Sequence, residues 1–269
     1  MNRVPRKGTE IVLQGGTTNE GRVSRVGATV RRPERDTSPA TRALLDHLER
    51  VGFDGAPRHL GRDDQAREIL TYVDGDVPVE PYPEWALSDE ALVSVAELLR
   101  RYHEAVASFD SSGHAWPRAV PPAFRGRLLC HNDPNLDNVV FSAGRAVALI
   151  DFDLAGPGSA VWEVACAVRL WAPLRDERDA PEPLRGRSLS RLKLFADAYG
   201  LTKRDRDKIP MAVRSAHAWA YDVVRDAVDD GHAAFGRLWD DGGRARAERT
   251  AHWLEANGKP MCQALSPPA

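Results

Sequence analysis

The sequence predicts an α+β fold with two lobes: a small β-rich N-terminal lobe and a larger, mainly helical C-terminal lobe. Short strand-like runs separated by turn residues follow one another as far as residue 74. The segment 74–83 contains Gly75 and three prolines, which indicates a linker. From residue 188 onward the apolar residues recur at helical spacing. We therefore expect residues 1–74 in the first lobe and residues 75–269 in the second.

Composition limits the classes of function that the chain can have. At 269 residues it is long enough for one two-lobed enzyme. Its 37 Lys and Arg residues nearly balance its 39 Asp and Glu residues, which gives no electrostatic reason to expect nucleic acid or an anionic membrane as a partner. The three cysteines show no paired spacing for zinc or a disulfide framework. No run of about 18 apolar residues occurs, so we expect a soluble, cytoplasmic protein.

The N-terminal lobe is predicted to begin with strands and a capped helix. Three strands are expected first, over residues 10–13, 22–26 and 28–32. Gly15, Gly16 and Thr17 lie in the turn after the first strand, where backbone N–H groups can approach nucleotide phosphates, although a plain hairpin loop explains the same residues. A helix then starts at Ser38, which supplies a capping hydroxyl before Pro39. Two further strands are expected over residues 57–61 and 68–73.

The C-terminal lobe is predicted to be helical around one hairpin. Helices are expected from Ser88 to about residue 106 and over residues 161–170, 188–199, 204–229 and 244–256. The tail after Gly258 is expected to be poorly fixed.

The stretch 128–158 carries the residues that suggest chemistry. A short apolar run leads into His131 and Asp133, and Asn138 follows in a polar loop. The predicted hairpin of residues 139–141 and 146–150 ends at Asp151. Two carboxylates and an amide oxygen are thereby held at one end of a hairpin, and these hard oxygen ligands suit magnesium that also carries phosphate oxygens. A carboxylate that is not on the metal can accept a proton from a substrate hydroxyl.

This stretch resembles the aminoglycoside phosphotransferase and choline kinase family, which has a protein-kinase-like two-lobed fold. The family's His-x-Asp-x-x-x-x-Asn loop is matched by His131, Asp133 and Asn138, and its metal-binding Asp by Asp151 before Phe152. The resemblance implies ATP-dependent, Mg²⁺-assisted phosphoryl transfer to a hydroxyl of a small molecule, for example an aminoglycoside or another antibiotic, with GTP as an alternative donor. In it Asp133 would be the base or would orient the hydroxyl, Asn138 and Asp151 would bind magnesium, and His131 would brace the loop. Glu163 stands where the family often has an Asp that also braces the loop.

The same resemblance assigns nucleotide contacts in the N-terminal lobe. Gly15, Gly16 and Thr17 would cover the phosphates, and the backbone of Thr71, Tyr72 and Val73 would form the hinge that reads the base. Arg31 takes the place of the family's phosphate-pairing Lys, with Arg32 on the opposite strand face; alternatively both arginines are solvated edge charges. Thr41 lies where a Glu would hold that Lys. Both halves of the usual ion pair are thus altered, which leaves a nucleotide-binding pseudokinase without turnover as an alternative.

Two other interpretations of the acidic residues remain open. The loop acids are also ordinary turn formers and caps. In addition, residues 148–153 match the aspartyl-phosphate phosphohydrolase pattern, in which Asp151 would be the nucleophile and Asp153 the acid–base partner, although this leaves the upstream loop unexplained.

The acceptor-binding side of the site is predicted from acidic residues alone. Asp222 and Asp226 share one face of a predicted helix, with Asp229 close behind. They form either a solvated acidic face or one wall of a pocket for a cationic acceptor. Together with Asp153 they are the candidates for substrate contacts.

Overall fold

The structure of the protein is a computed structural model that describes residues 9–13 and 21–266. A five-stranded antiparallel sheet forms the N-terminal lobe. Its strands are β1 (Glu10–Val12), β2 (Ser24–Val26), β3 (Thr29–Arg32), β4 (His59–Arg62) and β5 (Glu68–Thr71). They lie in the order β1-β2-β3-β5-β4, so the connection from β3 to β4 crosses over β5. Helix α1 (Ser38–Arg50) lies in that connection and buries Leu44, Leu45 and Leu48.

The chain passes between the lobes directly after β5. Asp76 forms a two-hydrogen-bond bridge with Phe141, each bond 2.8 Å long, and this ties the crossing segment to the C-terminal lobe. Gly75 precedes the bridge with φ +148°, and a Cβ atom there would collide with the carbonyl oxygen of Phe141. Only glycine combines that backbone conformation with so close an approach.

The C-terminal lobe consists of helices around two small strand pairs. The helices are α2 (Asp89–Val106), α3 (Ala160–Trp171), α4 (Ser188–Tyr199), α5 (Lys203–Arg206), α6 (Ile209–Asp229), α7 (Ala233–Leu238), α8 (Arg244–Ala256) and α9 (Gly258–Leu265). The strands are β6 (Leu128–Cys130), β7 (Val139–Ser142), β8 (Arg145–Leu149) and β9 (Gly156–Gly158), which pair as β6 with β9 and β7 with β8. The predicted α+β fold with two lobes is confirmed.

The core lies between the long helices and the hairpin. Helix α2 packs against α4 and β8, and α3 packs against α6. Ser88 caps α2 by accepting a hydrogen bond of 3.0 Å from the Ala91 N–H, as its sequence suggests. Trp162 and Trp171 of α3 are almost completely buried, which fixes this helix directly beneath the loop that follows β6.

Two helix predictions are wrong for identifiable reasons. The helix predicted over residues 204–229 is interrupted, and α6 begins at Ile209 because Pro210 fits only in a first helical turn. The tail after Gly258 is not loose in the part that the structure describes, since it forms α9. Met261 and Leu265 of α9 are buried. Within the described residues, no helix combines the length and apolar character needed to cross a membrane.

Candidate active site

The loop between β6 and β7 and the end of β8 meet at one point. The Ile150 N–H donates a hydrogen bond of 2.9 Å to the carbonyl oxygen of Asn138, which joins the loop to the strand end. Because of this link, Asp133, Asn138 and Asp151 belong to one cluster, as the sequence predicts for the mouth of the hairpin.

His131 holds the loop from inside the protein and is fully buried. Its Nε2 donates to the carbonyl oxygen of Ile150 at 2.9 Å, and its Nδ1 accepts from the Asp133 N–H at 3.3 Å. This pair of partners fits the neutral imidazole, and burial lowers the pKa of His131 in the same sense. The ring therefore supports the Asp133 backbone from inside the protein and is not itself exposed.

Glu163 of α3 supports the same loop from below. Its carboxylate accepts hydrogen bonds from the N–H groups of His131 and Asn132, the latter at 2.9 Å, and the side chain is completely buried. The side-chain oxygen of Asn132 in turn accepts a bond of 2.9 Å from the indole N–H of Trp162. Asn132 has φ +66°, a conformation that Asn tolerates better than most residues and that these bonds hold in place.

Asp133 and Asn138 are joined directly. The Asn138 side-chain N–H group donates to the Asp133 carboxylate and to the Asp133 carbonyl oxygen, both at 2.9 Å. Burial, followed by the nearby Asp137, raises the pKa of Asp133 to about 6. A carboxylate with a pKa in this range can accept a proton near neutral pH better than an ordinary aspartate.

Asp151 projects from the end of β8 in a left-handed backbone conformation, with φ 60° and ψ 68°. Its side chain is 32% exposed and is the open edge of the cluster. Removal from water and the adjacent Asp153 raise the pKa of Asp151 to about 7, while Arg32 opposes that rise. A carboxylate whose charge is poorly compensated in this way is a good position for a cation.

The donor set fits magnesium. The nitrogen of Asn138 is occupied by Asp133, so its oxygen is the atom available as a ligand, and Asp151 offers carboxylate oxygens beside it. Oxygen ligands of this kind suit a hard cation that is shared with phosphate.

Arg32, and not Arg31, faces this cluster. The Arg32 guanidinium pairs with Glu68 at 3.0 Å, with Asp151 at 3.5 Å and with Asp153. Burial opposes its charge, but Asp153, Asp151 and Glu68 outweigh that effect and raise the pKa of Arg32. The predicted alternation of the two arginines is observed, but the assignment of their faces is off by one residue.

Arg31 lies on the other face of β3. Its guanidinium donates to the Thr29 hydroxyl at 2.7 Å and lies 3.7 Å from Asp63. This corrects the prediction that Arg31 pairs with phosphate, because a strand residue cannot reach both faces of its sheet.

The carboxylate that holds Arg32 comes from β5 and not from α1. Arg32 and Glu68 are directly opposite each other in the β3–β5 ladder, and Glu68 is 2% exposed. Thr41 is buried on α1. The position at which the family has a Glu therefore carries no carboxylate, as expected from the sequence. Glu68 is the first residue of β5 and is followed by apolar residues, and this is the sequence signal that could have identified it. Its partner, however, depends on strand register.

The predicted hinge has free backbone groups at one residue. The N–H groups of Thr71 and Tyr72 donate to the carbonyl oxygens of Arg58 and Ala28, each at 2.9 Å. Neither the N–H nor the carbonyl of Val73 is bonded to any residue that the structure describes. Such a free pair is what a purine edge requires, so Val73 carries the hinge hypothesis more than its two neighbours do. Gly15, Gly16 and Thr17 lie outside the described residues.

The three acids predicted to contact substrate are all bound by arginines. Asp153 is held by Arg32 and by Arg35, the latter at 3.2 Å. On α6, Asp222 pairs with Arg225 at 2.7 Å, and Asp226 pairs with Arg118 at 2.8 Å and with Arg225 at 3.0 Å. The structure places neither Asp222 nor Asp226 in contact with Asp133, Asn138 or Asp151.

A two-lobed frame with this loop, hairpin and Asp151 defines a protein of the kinase-like phosphotransferase class. The model of the phosphotransferase enzyme family matches residues 107–199, which include the loop, the hairpin and α3. The trifolitoxin immunity protein of Rhizobium leguminosarum bv. trifolii is 35% identical over 259 residues, covering 91% of this chain and 94% of that protein. The chain therefore belongs to the phosphotransferase enzyme family.

Solved structures show the same fold at low sequence identity. A choline/ethanolamine kinase family protein from Mesorhizobium loti is 15% identical with a TM-score of 0.61, over 96% of this chain and 92% of that one. Aminoglycoside 2′-phosphotransferase-IIIa in its GDP complex is 12% identical with a TM-score of 0.62, over 94% and 93%. Aminoglycoside phosphotransferase APH(2″)-Ib with ADP bound is 13% identical with a TM-score of 0.57, over 96% and 93%.

Proposed function

We propose that this protein transfers the terminal phosphoryl group of ATP or GTP to a hydroxyl of a small molecule, and that the reaction protects the cell from an antibiotic. The observation that carries the proposal is the cluster of Asp133, Asn138 and Asp151. The side-chain oxygens of Asn138 and Asp151 suit a cation, and the separate carboxylate of Asp133 suits a substrate hydroxyl. The similarity to an immunity protein supports the protective role.

Each residue of the cluster would have a separate task. Asp133 accepts the hydrogen bond of the acceptor hydroxyl and takes its proton as the phosphoryl group arrives. Asn138 and Asp151 would hold Mg²⁺, which neutralises charge on the phosphates when bound. Arg32 lies beside Asp151 and would pair with phosphate oxygens, and the free backbone groups of Val73 would bind the base.

The phosphohydrolase alternative is less compatible with the site. That mechanism needs Asp153 as an acid–base partner with a free oxygen. Here one oxygen of Asp153 is bound by Arg32 and the other by Arg35. A carboxylate fixed between two guanidinium groups is a poor proton donor, because both bonds stabilise its charged form.

A transfer assay tests the reaction itself. The protein is incubated with Mg²⁺ and with ATP or GTP against aminoglycosides, choline-like amines, sugars and short hydroxylated peptides, and phosphorylated products are detected by mass spectrometry. We expect one class to be phosphorylated, and Asp133→Asn to bind nucleotide but lose most of the transfer. Nucleotide binding without any transfer would favour the pseudokinase, and label trapped on Asp151 would favour the phosphohydrolase.

A survival assay tests the protective role. The wild-type chain and Asp133→Asn are expressed at equal levels in a sensitive strain and challenged with a panel of antibiotics, including trifolitoxin. Protection by the wild type alone would link it to the carboxylate that does the chemistry. Equal protection by both proteins would show that protection comes from binding and not from phosphoryl transfer.

A further inference from the structure

Three side chains with metal-binding atoms meet beneath the start of the loop between β6 and β7. They are His103 of α2, Cys130 at the end of β6 and Glu163 of α3. The His103 Nε2, the Cys130 Sγ and a carboxylate oxygen of Glu163 all lie within 4.8 Å of one another. His103 is 6% exposed, and Cys130 and Glu163 are completely buried. The three residues come from separate elements, so no spacing pattern in the sequence predicts this cluster.

The imidazole of His103 has one nitrogen directed at the centre of the cluster. Its Nδ1 lies 2.6 Å from the hydroxyl oxygen of Tyr199, whereas its Nε2 is buried and makes no hydrogen bond to any residue that the structure describes. The Nε2 faces a carboxylate oxygen of Glu163 at 3.7 Å, which is too long for a hydrogen bond. When Nδ1 donates to Tyr199, Nε2 carries the lone pair that a metal ion requires, and metal-binding histidines are usually oriented by such a bond from the other nitrogen.

Glu163 carries a buried charge that no basic side chain of the described residues fully compensates. Its two oxygens accept the backbone N–H groups of His131 and Asn132, one each. Among the described residues, no lysine or arginine forms an ion pair with it, and His103 would be a counter-charge only if it were protonated. Each carboxylate oxygen has a second lone pair, so both backbone bonds can persist when the carboxylate also binds a cation. Buried charges are normally paired or bound to metal ions, which favours a cation at this position.

Cys130 supplies the second negative charge that a divalent ion needs. Its Sγ has long contacts of 3.6 Å and 3.7 Å with the carbonyl oxygens of Ser159 and Leu128. Burial raises the pKa of the thiol, so it is protonated in the metal-free protein. A metal ion bound at Sγ displaces this proton to solvent. The thiolate, the carboxylate and a divalent cation together then have no net charge, which suits a completely buried site.

We propose that His103, Cys130 and Glu163 bind a zinc ion, which fastens the start of the loop between β6 and β7 to α2 and α3. An imidazole, a thiolate and a carboxylate are ligands that zinc takes, and around a tetrahedral zinc ion such atoms are about 3.3–3.6 Å apart. Small rotations of the three side chains reach these separations, and the fourth ligand would be a water molecule or the second oxygen of Glu163. This site does not depend on the proposed function, and Mg²⁺ is not its ligand because Mg²⁺ avoids thiolates.

Metal content tests the site directly. The full chain is produced in cells grown with added zinc, and in parallel it is unfolded with a chelator and refolded with Zn²⁺ or Co²⁺, because so enclosed a site is filled as the chain folds. After loosely bound metal is removed, we expect about one zinc ion per chain by mass spectrometry. The cobalt form should show the charge-transfer absorption of a thiolate ligand. A wild-type chain that retains no zinc and shows no such absorption would overturn the inference, whatever the variants do, and would favour a protonated His103 paired with Glu163.

Substitutions locate the metal within the fold. Cys130→Ser and His103→Gln should each retain about a tenth of the wild-type zinc or less, and Cys130→Ser should lose the charge-transfer absorption. The matched control is Cys166→Ser, which alters another buried thiol, on α3, that is not part of the cluster. It should keep the zinc, and zinc should raise its unfolding temperature as it does that of the wild type. Full zinc content in Cys130→Ser, or loss of zinc in Cys166→Ser alone, would show that the metal binds elsewhere and would overturn the assignment.

Discussion

At the scale of single residues, the site keeps Asp133 in an environment that opposes its charge. Burial raises its pKa from 3.8 to about 6. The folded state therefore binds a proton more tightly than the unfolded state does, and stability falls as the pH rises from about 4 to about 6. Above that range the full destabilisation is present, and it amounts to at most about 3 kcal/mol. The carboxylate that we propose to accept the hydroxyl proton is thus maintained at a cost in stability.

We expect Asp133→Asn to be more stable than the wild type at pH 8, by about 1–3 kcal/mol. The substitution removes the poorly compensated charge and keeps an oxygen that can accept from Asn138. Urea denaturation at several pH values measures the difference, which should shrink towards pH 4, where the wild-type carboxyl is protonated as well. A variant that is less stable than the wild type at pH 8 would show that the contacts of the charged carboxylate outweigh the effect of its burial.

The two adjacent arginines of β3 should respond very differently to substitution. Arg32→Met removes the counter-charge of buried Glu68 and leaves Asp153 with Arg35 alone, and it should cost about 3–5 kcal/mol, together with most of the phosphoryl transfer. Arg31→Met breaks one hydrogen bond to Thr29 and a 3.7 Å ion pair, and about 1 kcal/mol is expected. Chemical denaturation and transfer assays on both variants check this. The opposite order would mean that Arg31 faces the cluster.

At the scale of elements, α3 and the loop between β6 and β7 are joined by Glu163. Glu163→Gln replaces one acceptor oxygen by an N–H₂ group that faces a backbone N–H, so one loop bond is lost and a donor is left unsatisfied. We expect a loss of about 2–4 kcal/mol in stability and faster hydrogen exchange at His131 and Asn132. The exposed Glu182→Gln is the matched control, and unchanged exchange in Glu163→Gln would show that other contacts hold the loop.

At the scale of the whole molecule, the crossing between the lobes depends on Gly75. Gly75→Ala must both adopt φ +148° and displace the backbone of Phe141, which carries the Asp76 bridge. We expect it to cost about 3 kcal/mol and to weaken nucleotide binding, since the bridge lies close in the chain to the proposed hinge residue Val73. Calorimetric unfolding and nucleotide titration measure both effects.

Gly144→Ala separates the collision from the backbone conformation. Gly144 also has a positive φ, +75°, but a Cβ there would meet open space. Its substitution should cost about 1 kcal/mol and leave nucleotide binding unchanged. Equal effects of the two substitutions would mean that the close approach to Phe141 plays no part in joining the lobes.

The order of the elements and the residues of the loop could be predicted from the sequence. Alternating apolar residues, capping Ser88 and the helix-breaking glycines specify local structure, and His131, Asp133, Asn138 and Asp151 are close in the chain, so one hairpin is enough to bring them together. Local signals fail where a later contact decides, as in α9, which is helical because the lobe buries Met261 and Leu265.

Only the tertiary structure decided which charges meet. Whether Arg31 or Arg32 faces the cluster depends on the register of β3, and a shift by one residue reverses every side chain of a strand. Glu68 is 36 residues from Arg32 and Asp153 is 121 residues away, so no local pattern could pair them. In the same way the acids of α6 suggest a cationic ligand until Arg118 and Arg225 are seen beside them. The charge of each residue can be predicted from the sequence, but the net charge of a site depends on which charged residues the fold brings together as pairs.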